Sequence, residues 1–191
     1  MDIIASITDQ FKLQRWQVEN TVKLIDEGNT IPFIARYSKE AHGTLDDQTL
    51  RQISERLEYL RNLDKRREEI SKSIIEQEKM TDELQQKIDN AATLAELEDL
   101  YRPYKPKRKT RASVAKEKGL EPLAQAIFEQ KAGVDPAALA VEYIDADKGV
   151  ETVEDALAGA SDIIAEDISD NADIRRRLRN LFSVMGVITS K

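Results

Sequence analysis

The segment TLDDQTLRQISERLEYLRNLDKRREEISKSIIEQEK, residues 44–79, decides the fold. Leu50, Ile53, Leu57, Leu60, Leu63, Ile70 and Ile74 recur at helical spacing and form one apolar stripe. Arg66, Arg67, Glu68 and Glu69 crowd the other side. The stripe breaks around Asp64 to Arg67 and does not sustain heptads, so it predicts a spine packed by neighbouring helices and not an autonomous coiled coil. Thr44 is the expected N-cap, and Asp46 and Asp47 suit the positive end of the helix dipole. The helix is expected to run to about Lys79.

Helix signals continue on both sides of the spine. Asp2 can cap a short first helix, and Leu13, Trp16, Val18, Val22 and Ile25 give a second one, closed by Gly28. Pro32 suits the first turn of a third helix carrying Phe33, Ile34 and Tyr37. This helix-turn-helix-like spacing suggests a groove reader, but Pro32-Phe33-Ile34-Ala35 is apolar where a recognition helix presents polar groups to base edges. Trp16 and Tyr37 are expected in the core or at its rim. Beyond the spine, Thr81 starts a helix with Leu84 and Ile88 inward, and Thr93 to Glu96 reads as a capping box before Leu97, Leu100 and Tyr101. Thr110, Pro122, Asp135-Pro136 and Thr152 with Asp155 open further helices. A last pattern, Ile174, Leu178, Leu181, Phe182 and Met185, stops at Gly186. No run of alternating β-branched residues appears, so the expected class is all-α: an elongated multi-helix array with one long spine helix and short helix-turn-helix-like elements. The expected divisions are a small N-terminal helical element over 1–43, the spine with short packing helices over 44–101, a connector over 102–110 and an acidic helical part over 111–191.

The connector carries the clearest functional signal. From Arg102 to Arg111 there are six basic residues and no acid, in a chain of 191 residues with a net charge of -7. Pro103 and Pro106 fix φ and remove two backbone donors, so the helix ending near Tyr101 gives way to a stiff, extended strip of cations. A phosphate backbone complements such a strip, with Lys105, Lys107, Arg108, Lys109 and Arg111 as contacts and Tyr104 as a stacking partner. The competing reading is a solvated connector whose cations pair with carboxylates of their own chain. Residues 1–120 are balanced, with 22 basic against 22 acidic side chains, whereas residues 121–191 carry 7 against 14, so the whole net charge lies in the last third. Arg175, Arg176, Arg177 and Arg179 form a second basic knot, expected to act as counter-ions for the acidic segment Glu166 to Asp170.

Chemistry beyond anion contact is sparse. The chain has no cysteine, which removes disulfides and thiol chemistry. The lone His42, beside Gly43 in an expected loop, has no nucleophile motif near it, and the pairs Glu98-Asp99 and Asp46-Asp47 point apart on a helix and read as caps and surface charges. There is no glycine-rich phosphate loop, calcium loop or zinc ligand set. The expectation is a non-enzymatic protein with no cofactor, no metal and no membrane segment, in the cytoplasm.

Four separated blocks, Ile31-Pro32-Phe33-Ile34-Ala35-Arg36-Tyr37 with Lys39-Glu40, Leu97-Glu98-Asp99-Leu100-Tyr101 through Thr110-Arg111-Ala112, Gly119-Leu120-Glu121-Pro122-Leu123-Ala124, and Gly159 through Glu166, resemble in order the N-terminal helical region of the bacterial Tex family of transcription accessory proteins. Ser38 and His42 depart from the family pattern, which favours more basic and smaller or more polar residues there. The resemblance implies that the chain is a fragment lacking an RNase H-like domain, helix-hairpin-helix modules and an OB-fold RNA-binding domain. It also implies a role as scaffold in transcription. Nucleic acid, RNA or single-stranded DNA, would then be held nonspecifically and mainly by the missing domains. The partners implied are nucleic acid, the remaining domains of the same chain and the transcription machinery. The alternative is a protein-interaction module docking onto that machinery with no nucleic-acid contact of its own.

Overall fold

The computed structural model describes residues 2–106 and 109–190, and these are all-α: twelve α-helices and three short 3-10 turns, with one isolated β-bridge between Asp145 and Val150 and no strand. The backbone forms two compact units, Met1–Leu94 and Ala95–Lys191.

In the first unit, α1 (Ile3–Phe11), α2 (Arg15–Asp26) and α3 (Ile31–Tyr37) pack on α5 (Asp47–Glu76), with α4 (Lys39–His42) against α2 and α6 (Asp82–Asn90) against the far end of α5. The spine spans 30 residues, about 45 Å at the helical rise. Its stripe, Leu50 to Ile74, is buried and meets Ile7, Val18 and Ile34 in a continuous apolar core. Transfer of such side chains from water, about 1.5–3 kcal/mol each, drives the assembly.

The break in the stripe has a physical cause. Arg67 occupies the buried position between Leu63 and Ile70, not the solvent face expected of it. Its guanidinium donates to Ile88 O at 3.1 Å, to Ala91 O at 3.0 Å and to Asp64 Oδ1 at 2.6 Å. It thereby adds charged donors to carbonyls at the C-terminus of α6, where Ile88 O also accepts from Ala91 N at 3.3 Å.

The start of the spine also differs from expectation. Asp46, not Thr44, caps it, accepting from Thr49 N at 2.6 Å. Gly43 and Thr44 both take left-handed backbone, at φ +67° and +62°, and close α4 first. Only the extended backbone at Asp46 then sets a side-chain oxygen opposite the first free N–H groups. His42 ends α4 and is fully buried. Leu45 N donates to His42 Nδ1 at 3.1 Å, so Nε2 carries the proton toward Ile34 O at 3.2 Å. The histidine is a clamp joining α3 to the turn before the spine. Gly43 is needed twice over, because a Cβ there would lie 2.7 Å from both Trp16 Cη2 and Gln17 Nε2. Gly43→Ala should therefore cost about 2 kcal/mol, read as a lower urea midpoint for loss of the first unit's amide protection.

In the second unit, α7 (Leu94–Tyr101) leads through a 3-10 turn at Arg102–Tyr104 to α8 (Arg111–Glu117), α9 (Glu121–Phe128), α10 (Pro136–Ala140), α11 (Val153–Asp170) and α12 (Ala172–Met185). Helix α11 is the centre on which α8, α9, α10 and α12 pack. Its Ala156, Ala160 and Ile163 meet Ala112, Ala115, Leu120 and Leu123, and the small side chains allow the helices to approach closely. Gly159 makes this possible, since a Cβ there would sit 2.4 Å from Leu120 Cδ1 and 3.3 Å from Ala115 Cβ. Thr110 and Thr152 cap α8 and α11 as expected, and both caps prove reciprocal, with Ser113 and Asp155 reaching back. Helix α12 has no buried residue, and Leu178, Leu181, Phe182 and Met185 of its last pattern are exposed.

Candidate nucleic-acid interface

The connector emerges from α7 through a turn made rigid by Pro103 and anchored by salt bridges. Arg102 Nε lies 2.6 Å from Asp170 Oδ1, a buried carboxylate at the last residue of α11. One turn earlier, Asp99 faces inward and is 5% exposed. It accepts from Arg175 Nε at 2.6 Å and from Arg179 Nη2. Burial pushes the Asp99 carboxyl up, but the hydrogen bonds and charges of Arg179 and Arg175 outweigh it and hold the group below the ordinary aspartate range. Two arginines of the second basic knot, Arg175 and Arg179, thus serve α7, while Arg176 pairs with Asp173 of its own helix at 2.8 Å. Arg175 also donates to Ser169 O in the acidic segment, at 3.3 Å. Asp99, expected as a surface charge, is the buried centre of the knot.

The expected phosphate contacts divide as follows. Lys105 Nζ lies 2.6 Å from Glu98 Oε2 and 5.8 Å from the centroid of the Tyr101 ring. Lys109 Nζ reaches Glu117 Oε2 at 3.1 Å. Arg111 Nε stands 3.7 Å from Asp162 Oδ1, with its side chain 89% exposed. Tyr104 closes the 3-10 turn and is half-buried. Lys107 and Arg108 lie outside the described residues. Each described cation of the strip thus has a carboxylate of its own chain, so a bound polyanion must exchange with Glu98, Glu117 or Asp162. The ties are not equal: Lys105 is held by a close ion pair and a ring, whereas Arg111 is held at long range in water.

An open groove of about 570 Å³ runs along this segment, with Arg102, Lys105 and Arg111 on one wall and Asp162, Glu166 and Asp170 on the other. An anionic backbone fits only along the cationic wall, because the α11 wall repels it. Among the described residues, no group of three acidic or histidine side chains could hold a metal ion, and no helix is long and apolar enough to cross a membrane.

The remaining aromatic candidates sit in the first unit and are not core. Trp16 is 47% exposed and Tyr37 is 73% exposed. Ile34 takes the inward direction of α3, which turns Phe33 and Tyr37 outward with ring centroids 5.1 Å apart. An apolar spacing pattern cannot separate these two faces on a helix of seven residues.

Residues 1–75 match the model of the Tex-like protein N-terminal domain, and residues 131–191 match the Tex central region-like model. Protein tex of Bordetella pertussis is 49% identical over 99% of this chain and 24% of its own length. Transcriptional accessory protein Tex of Neisseria gonorrhoeae is 42% identical over 94% of this chain and 23% of its own length. S1 RNA-binding domain-containing protein 1 of Homo sapiens is 34% identical over 94% of this chain and 18% of its own length. The chain therefore spans about a quarter of the bacterial relatives it matches. Both family models and relatives that align along nearly its whole length point the same way, and the chain belongs to the Tex family as its N-terminal helical region.

Proposed function

We propose that this chain is the helical scaffold of a cytoplasmic transcription accessory protein and contributes an auxiliary, sequence-independent contact to RNA or single-stranded DNA. In this reading it performs no catalysis and needs no cofactor, and the principal grip on nucleic acid belongs to other domains. The contact is the strip Lys105, Lys107, Arg108, Lys109 and Arg111, with Tyr104 beside it. The supporting observation is the loose hold on Arg111, an exposed guanidinium at 3.7 Å from its carboxylate, next to the exposed Lys109. Exposed pairs of this kind contribute little to stability, so a phosphate can replace the carboxylate at small cost. A phosphate also accepts both prongs of the guanidinium fork. The name of the human relative assigns RNA binding to that protein, and kinship extends the expectation here.

The test is fluorescence anisotropy with labelled single-stranded RNA and DNA at low and near-physiological salt. The chain is compared with a variant carrying alanine at Lys105, Lys107, Arg108, Lys109 and Arg111. Binding should fall with salt at a log-log slope of about −0.7 per phosphate engaged. It should be lost in the variant while circular dichroism remains unchanged. Absence of binding at low salt would overturn the reading. The second reading, a protein-docking module, is favoured by the outward apolar face of α12, where Phe182 and Met185 are 70% and 71% exposed. It predicts binding to transcription-machinery proteins that is insensitive to salt.

A further inference from the structure

We propose that the outward face of α3 is a base-stacking platform for single-stranded nucleic acid, separate from the connector; the proposal rests on the nucleic-acid reading above. Phe33, Arg36 and Tyr37 lie at positions i, i+3 and i+4 and share one face. All three are exposed, while Ile34 alone of the helix is fully buried and fixes the rotation. The two rings touch at 5.1 Å with planes 43° apart, so they hold each other in place and leave the π-face of the outer ring, Tyr37, open to a ligand.

Charge distinguishes this surface from an ordinary apolar patch. The side chains of Arg36 and Lys39 are exposed and have no ion pair or hydrogen bond to another described residue, whereas every described cation of the connector is matched by a carboxylate. Glu40 follows Lys39 but is paired with neither cation. Two aromatic rings beside two unengaged cations combine what single-stranded nucleic acid requires: π-faces for its bases and positive charge for the phosphates between them. A folded, purely apolar protein partner would leave Arg36 and Lys39 desolvated without counter-charges. Arg36 and Lys39 are long and unpinned, so they meet phosphates without fixing a base edge, and recognition should depend on the presence of bases and not on their order.

The experiment uses the full chain and two labelled strands of equal length, one of oligo-dT and one abasic, which has the same phosphates and no bases. Anisotropy titrations are run on the parent, on a Phe33→Ala/Tyr37→Ala variant and on the connector variant. The parent should prefer oligo-dT, and the ring variant should lose that preference, with affinity for oligo-dT falling about tenfold per ring removed and affinity for the abasic strand unchanged. Tyr37→Phe, which keeps the π-face, should behave as the parent does. The connector variant should weaken both strands alike. If the ring variant keeps the preference for bases, or the parent never shows one while still binding both strands, the platform is overturned, and Phe33 and Tyr37 are left to a protein surface. If the parent binds neither strand at low salt, the nucleic-acid reading itself fails, and the platform with it.

Discussion

Asp99→Ala should release α12 from the second unit. The carboxylate is the point at which Arg175 and Arg179 of α12 converge. The helix has no buried residue that would hold it in place otherwise. Removing the anion leaves two guanidinium groups facing each other with no counter-charge. Each arginine side chain is more than a third exposed or close to it, at 33% and 39%, so water recovers part of the loss. A cost of about 3 kcal/mol follows from the central place of the buried carboxylate. Hydrogen exchange should show protection lost across Ala172–Met185 while the α8–α11 core stays protected. Acid should act in the same direction as the mutation. The folded-state Asp99 group titrates below its unfolded value of about 4, so its contribution is complete above that value and disappears as pH falls through the depressed folded-state value. In the Asp99→Ala variant α12 should show no such acid step.

Arg67→Ala should have a comparable effect in the first unit. The truncation removes donors from Ile88 O and Ala91 O and empties a buried position in the middle of the spine. Loss of the charged donor at Ala91 O and at Ile88 O, the latter keeping Ala91 N, together with the cavity, costs about 3 kcal/mol. Helix α6 should exchange first, beginning at its last turn. Arg67→Lys should recover only part of the loss, because one ammonium group cannot reproduce a planar fork that spans two carbonyls and a carboxylate. A smaller cost for alanine than for lysine would refute the capping role.

These two residues also show what spacing in a sequence reveals and what it conceals. The apolar stripe from Leu50 to Ile74 fixes the spine, because periodicity is a local property that burial only confirms. Caps such as Asp2, Thr81, Thr110 and Thr152 are legible for the same reason, since donor and acceptor lie within one turn. Arg67 reads as an interruption because its partners lie 21 and 24 residues away, beyond a turn that periodicity cannot orient. Asp99 is harder still, as Arg175 is 76 residues distant and several acids compete for it on paper. The connector was visible as a run of charge, but its state was not. Whether a cation is engaged depends on where Glu98, Glu117 and Asp162 fall in space. Tyr37 on α3 is hidden for a simpler reason: seven residues supply too few turns to distinguish an inward from an outward ring.

The cap at the end of the connector limits how finely it can discriminate. Thr110 turns its hydroxyl oxygen onto Ser113 N at 3.0 Å and so occupies the N-terminus of α8. That N-terminus would otherwise be a rigid cradle with a preferred anion shape. With it closed, Lys105, Lys109 and Arg111 are left to meet an anion through long side chains, which respond to charge density and not to shape. On the phosphate contact proposed above, heparin or polyphosphate should therefore displace RNA as readily as a second RNA strand does.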